Sequence, residues 1–466
     1  MKLLKDVYEY IERNKDRYIG WLQDLCRQPS VAAQNRGMKE AAGMVEQLLR
    51  QLGGTAEQIP TSGFPVVYGE FQNDKETALS FYNHYDVQPE DPIELWTSPP
   101  FAAEIVNGRI IARGVADNKG NLIVRLAAVD AYKAVKGELP VKIKFLVEGE
   151  EEIGSLHLRE FVDQNRDKVQ ADGCIWEFGY KGADGRLQAC FGVKGMCFVE
   201  LVCRGANTDM HSSNAAIIEN PAWRLIWALN TLKTPDERIR IKGFYDKVAP
   251  LSVADREVLN EMDYDEESTL KKFGLDSFLL NLKGLPLKEK LIYQPTCTIC
   301  GFQTGYTGEG KKTVLPSEAR VKIDFRLVPD QEPHEIYRLL REHLDDHGFS
   351  DIELIPYTMT NPARTSLEGP LARAVVKTAK EVYGCGPIIK PMSAATGPMY
   401  ILCQGLGIPS VSAGVGNFTS NNHAPNENIL VTDFIQGIQH IAAIIDQFPR
   451  EMMAEANAEN REGSLT

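Results

Sequence analysis

The chain has 466 residues, of which 43% are hydrophobic and 25% charged, and carries a net charge of −13. Such a length exceeds one hydrophobic core, so two or three globular domains are expected. The acidic balance argues against nucleic acid and anionic membranes as partners, and no apolar run approaches the roughly 20 residues of a membrane span. The start, Met1 to Asp6, leads into an amphipathic pattern rather than a signal peptide. Nine cysteines at irregular spacing do not read as a disulfide framework, and the expected location is a reducing cytoplasm.

Apolar residues at helical spacing predict one or two helices over Leu3 to Leu25 and another from about Lys39 to Leu52, stopped by Gly53-Gly54. Val66 to Phe71 and Thr77 to Asn83 read as strands, the second leading into His84-Tyr85-Asp86. Ile105 to Ala112 reads as a hairpin around Asn107-Gly108. Asp117-Asn118-Lys119-Gly120 then opens a helix with Leu122, Leu126, Val129 and Tyr132 on one face. Val141 to Val147 and Gly173 to Glu177 read as buried strands. This alternation predicts an α/β catalytic domain with a mostly parallel central sheet.

Beyond Gly192 the character changes. Cys197 to Cys203 is a predicted strand and Pro221 to Leu232 a helix, while residues 234–314 read as loop-rich and charged. Cys297 and Cys300 have the spacing of half a zinc ribbon, but no second pair follows, so they read as ordinary thiols on a strand. Ala319 to Leu327 alternates apolar and polar residues, Pro333 to His347 is amphipathic, and Ile352 to Ile355 is a strand. Strands with two helices over one face predict an inserted α+β domain. The expected boundaries are 1–193 and 358–466 for the catalytic domain and 194–357 for the insertion. The last segment returns to the first character, ending in a helix from Phe434 to Phe448 and a polar, frayed tail from Ala454.

Val147-Glu148-Gly149-Glu150-Glu151-Glu152-Ile153-Gly154 sets four glutamates at the end of a buried strand. Alone, the run reads first as a solvated acidic turn. His84, Asp86, Asp117, Glu177 and His423 likewise lie each just beyond a predicted strand or hairpin. Sites of parallel α/β sheets form beyond the carboxyl ends of their strands, so these loops can converge. Carboxylates and imidazoles brought together in this way suit a divalent cation. Taken singly, His-x-Asp is a weak motif, Asp117 can be a helix N-cap, and Glu177 can pair with a base.

As a set, His84-Tyr85-Asp86, Gly114 to Gly120, Glu151-Glu152-Ile153-Gly154-Ser155, Glu177 and His423 resemble the co-catalytic zinc metallopeptidases. That family includes carnosine and non-specific cytosolic dipeptidases, glutamate carboxypeptidases, aminoacylases and acetylornithine deacetylase. The resemblance implies that Asp117 bridges two Zn²⁺ ions, with Mn²⁺ or Co²⁺ as substitutes. It gives His84 and Glu177 to one ion and Glu152 and His423 to the other, with the pairing left open. It makes Asp86 the residue that orients His84, and Glu151 the general base. The chain departs from the common pattern at Asn118, where the family often has aspartate, and carries Glu177 where many members have aspartate.

The insertion resembles the family's lid, which also mediates dimerisation. By that resemblance His211 reaches a neighbouring subunit's site and stabilises the oxyanion, and Arg326 holds the substrate's carboxylate. Ser393, Thr396 and Gly397 occupy the place of a substrate-binding loop, though Ser-Ala-Ala-Thr-Gly-Pro fits that pattern loosely. His157, His334, His343, His347 and His440 read as structural or surface residues. The expected activity is hydrolysis of dipeptides or small peptides with a free carboxylate, by a homodimer. The alternatives are an N-acyl-amino-acid deacylase or carboxypeptidase and, outside enzymes, a metal-stabilised binding protein.

Overall fold

The computed structural model describes residues 4–463. Leu3 and the last three residues of the tail fall outside the described residues. The chain divides into two compact units. The first comprises residues 1–192, 365–391 and 401–466; the second comprises residues 193–364 and 392–400.

The first unit is built on a six-stranded sheet. Its order is Thr55–Ile59, Val66–Phe71, Lys142–Glu148, Ala78–His84, Gly173–Trp176 and Ser410–Ser412. The last four strands run parallel to one another, while the first two pairings are antiparallel. Thr55–Ile59 had no expected counterpart in the sequence; its burial is only partial, which leaves a weak pattern. Lys119–Lys136 buries nearly its whole length, and Leu122, Leu126 and Val129 lie in the main core with Phe81, Phe145 and Ile441. Each such side chain contributes about 1.5–3 kcal/mol by leaving water. The N-terminal stretch forms two helices, Lys5–Arg13 and Lys15–Arg27. Asn14 separates them with a non-helical backbone, its side-chain amide donating to the Tyr10 carbonyl at 2.8 Å.

The polar tail is helical, contrary to expectation. One helix runs from Val431 through Pro449 to Gly463. Arg373, on the neighbouring Pro370–Tyr383 helix, pairs with Glu451 and Glu455 at 3.1 and 2.5 Å, tethering a segment that composition alone suggests would fray.

The second unit carries an antiparallel sheet ordered Thr296–Thr304, Glu318–Leu327, Gly195–Arg204 and Glu353–Thr360. Val321, Ile323, Phe325 and Leu327 alternate onto a core shared with Leu225, Ala228, Leu340 and Leu344 from the helices Pro221–Leu232 and Pro333–Asp346. Cys297 is buried and Cys300 exposed on one strand, both as free thiols.

Residues 234–314 are loop-rich, as expected, but they also hold the helices Val253–Glu261, Glu266–Phe273 and Gly284–Tyr293. Local capping starts the first two: Ser252 and Asp255 form a reciprocal box, and Asp265 accepts from the Ser268 N–H at 2.9 Å. The second unit also extends past the expected limit at 357, because the strand Glu353–Thr360 runs through that position. Residues 392–400 join it because Val193 bridges Ser393 and the Lys194 N–H donates to Ala395 at 2.9 Å.

Candidate metal centre

The parallel strands deliver their polar residues at one end. His84 closes its strand and is paired in register with Glu148, the last residue of the next strand; Glu177 follows Trp176 directly. Glu151–Ile153 forms a single tight turn, and Gly154 closes it at φ +94°, a left-handed conformation suited to glycine. Asp117 lies at the entry to the Lys119–Lys136 helix, and His423 in a loop at φ +59°.

Two groups of donor atoms result. His84, Asp117 and Glu177 offer three atoms that lie within 4.8 Å of one another, and so do Asp117, Glu152 and His423. Asp117 belongs to both. Its Oδ1 is 3.2 Å from His84 Nε2, and its Oδ2 is 3.3 Å from His423 Nε2. His423 Nε2 is also 3.1 Å from Glu152 Oε2. An ion bonded tetrahedrally at about 2.0–2.1 Å holds its ligand atoms about 3.3 Å apart, so the spacing and the mixed N/O chemistry of these residues fit a divalent metal.

Asp86 ties the two sides together. His84 Nδ1 lies 3.0 Å from the Asp86 carbonyl and 3.3 Å from its Oδ1, both acceptors, so Nδ1 carries the proton and Nε2 keeps its lone pair for the centre. The Asp86 carboxylate also accepts from the N–H groups of Glu151 and Glu152, at 3.3 and 2.9 Å.

Without a cation the electrostatics are severe. Burial, followed by the charge of Asp117, pushes Glu177 up to about 8. Glu151 is driven well above the usual carboxylate range by burial, against the pull of His84, with Glu177, Asp117 and Glu152 adding repulsion. Hydrogen bonds donated to Asp117 and Glu152 raise His423 to about 10. A buried cluster that must recruit protons in this way is one a divalent cation would neutralise.

The other expected site residues lie in the second unit. His211 is exposed, with Nδ1 2.9 Å from Ser213 Oγ and Nε2 3.2 Å from Thr313 Oγ1. Arg326 Nη1 donates to Thr396 Oγ1 at 2.7 Å and its Nε to Asp324 at 2.9 Å. Thr396 donates in turn to the Gly195 carbonyl at 3.2 Å, and the Ala395 N–H donates to Ser393 Oγ at 3.1 Å. Gly397 is half-buried beside them in sequence.

Several residues near the centre had no expected role. Glu427 is buried and accepts from Arg113 Nη1 and from the N–H groups of Gly114, Ala116 and Asp117 at 2.8–3.0 Å. It therefore shapes the loop that presents Asp117. Asn422 Nδ2 donates to Asp117 Oδ2 at 3.0 Å and to Tyr180 Oη at 2.8 Å. Glu148 and Glu150 turn outward from the donor groups. Glu148 accepts from Tyr82 Oη at 2.5 Å and Ser155 Oγ at 2.9 Å, while Glu150 pairs with His157 at 2.9 Å. Of these, only Ser155 and His157 are close enough in sequence to the glutamate run to have signalled a local bond.

Known proteins resemble the chain over most of its length. It is 26% identical to the mouse Beta-Ala-His dipeptidase, with 96% of each protein covered. It is 26% identical to the Schizosaccharomyces pombe Cys-Gly metallodipeptidase dug1, covering 94% of this chain and 97% of that protein. Among solved structures, the M20 family metallo-carboxypeptidase Sso-CP2 from Sulfolobus solfataricus superimposes with a TM-score of 0.88 at 40% identity, over 93% of this chain and 99% of the other. The sequence profile of Peptidase family M20/M25/M40 matches residues 80–447, a span running from the His84 strand past His423, and the chain belongs to that family.

Proposed function

We propose that the chain is a two-zinc dipeptidase that cleaves small peptides with a free carboxylate. The observation that carries the reading is the shared position of Asp117 in two donor groups, each completed by one imidazole and one glutamate. His84, Asp117 and Glu177 would hold one ion and Asp117, Glu152 and His423 the other. Such a pair would supply Lewis-acid polarisation of the scissile carbonyl and a lowered pKa for the attacking water. Glu151 takes the proton from that water and passes it to the leaving amine. Asp86 fixes the tautomer of His84 and the turn that carries Glu151. Arg326 has five N–H donors and commits two to Asp324 and Thr396, which leaves a fork for the substrate's carboxylate. Ser393, Thr396 and Gly397 line the same place, and His211 stabilises the oxyanion of a neighbouring subunit's substrate.

The homodimer is supported by Trp223 and Trp227. Their rings stack at 6.2 Å on the Pro221–Leu232 helix, and 55% and 52% of their surfaces are exposed. Apolar surface of that size is costly in water unless a partner covers it. A reducing cytoplasm is supported by nine free cysteines.

The 40% identity with a metallo-carboxypeptidase favours one second reading, removal of a C-terminal residue from longer peptides. Chelated protein reloaded with Zn²⁺ or Mn²⁺, then assayed on free dipeptides, N-blocked peptides and N-acyl amino acids, separates the readings. A dipeptidase is fastest on free dipeptides. Preference for N-blocked peptides transfers the assignment to a carboxypeptidase, and preference for N-acyl amino acids to a deacylase.

A further inference from the structure

Two side-chain amides repeat one arrangement at this centre. Gln88 Nε2 donates to the backbone oxygen of Glu152 at 3.1 Å and to Oε2 of the same residue at 2.9 Å. Asn118 Nδ2 donates to the backbone oxygen of Glu177 at 2.8 Å and to its Oε2 at 3.0 Å. Glu152 belongs to one donor group and Glu177 to the other. In both cases the amide faces two oxygens that accept and cannot donate when the carboxyl is ionised, so its NH₂ rather than its carbonyl must point there. Gripping a glutamate at its backbone and its carboxylate together removes rotamer freedom that coordination would otherwise have to remove.

The Asn118 amide is anchored from its far side. Asn118 Oδ1 accepts from Asn83 Nδ2, and Asn83 Oδ1 accepts from Arg125 Nη1 at 2.6 Å. Arg125 is fully buried and also binds the carbonyls of Tyr82 and Trp176, next to the ends of the strands that present His84 and Glu177. Gln88 follows Asp86 by two residues, and Asp86 holds the N–H of Glu152 at 2.9 Å.

We propose that Gln88 and Asn118 are paired positioning residues, one for each metal position, each presetting one glutamate. The proposal rests on the two-metal reading above.

The test is a Zn²⁺ titration of the full-length apoprotein against a chromophoric chelator. If wild type takes fewer than two ions, the two-metal reading itself fails. With two ions in wild type, Gln88→Leu should weaken one of them by about 10–100-fold, Asn118→Leu should weaken one by a similar factor, and the double variant should weaken both. His423→Ala assigns them: adding Gln88→Leu should leave the remaining ion unchanged, whereas adding Asn118→Leu should weaken it. Gln88→Met and Asn118→Ala remove the donor with a smaller change in packing, and they carry the test if the leucine variants do not fold. They should give the same selective weakening. Equal weakening of both ions by a single variant, no weakening, or a double variant that affects only one ion would overturn the proposal.

Discussion

Glu427 Oε1 accepts the backbone N–H of Asp117 at 3.0 Å, across 310 positions of chain. The same carboxylate binds Arg113 at 2.9 Å, and both side chains are 1% exposed. Glu427→Ala would leave a buried guanidinium without its counter-charge, along with three backbone donors. The expected loss is about 3–5 kcal/mol of stability, read by chemical denaturation. Glu427→Gln keeps one acceptor oxygen and should fall between. A loss below about 1 kcal/mol for the alanine variant would show that the loop is held by other contacts.

Asp86 faces His84 with one edge and the Glu151–Glu152 backbone with the other. Asp86→Asn removes the charge and one of the two acceptor oxygens. Metal affinity or kcat should fall about 10–100-fold, measured by metal titration and steady-state kinetics. Unchanged values for both would mean that the Asp86 carbonyl alone orients the imidazole.

Glu151 is assigned proton transfer rather than ligation. Glu151→Gln should retain both ions by elemental analysis and lose about 10²–10⁴-fold in kcat. Loss of metal with the variant would make Glu151 a ligand, and near-normal kcat would remove it from the chemistry.

How much of this could be read from the chain depends on distance in sequence. Val141 to Val147 and Thr77 to Asn83 announced themselves by apolar runs that end abruptly in charge, and their end residues meet in register as His84 and Glu148. Glu427 gave no such sign, because its partners Arg113 to Asp117 lie more than 300 positions away. The amide grips are equally nonlocal, with 64 positions between Gln88 and Glu152 and 59 between Asn118 and Glu177. The helices within 234–314 did have a local signal, the Ser252-x-x-Asp255 box, but their charged composition outweighed it. Glu148 and Glu150 looked equivalent to Glu151 and Glu152 in sequence. In the folded chain Glu148, still on its strand, bonds Tyr82 and Glu150 pairs with His157, while the turn closed by Gly154 carries Glu152 into a donor group.

His440 offers a pH dependence away from the metal centre. It is 1% exposed, with Nε2 3.4 Å from the Val375 carbonyl and its ring 5.3 Å from that of Tyr383. Burial pushes its pKa down to about 4; the Val375 bond opposes this and Lys181 adds to it. The folded chain therefore keeps the imidazole neutral while the unfolded chain protonates it near pH ~6.5. The contribution is fully present above that value and declines as pH falls toward 4, by about 3 kcal/mol in all. His440→Gln keeps a donor and removes the titration. Denaturation at pH 7.5 and pH 4.5 should show a smaller acid loss for the variant than for wild type, and equal losses would mean that His440 is already protonated in the folded chain.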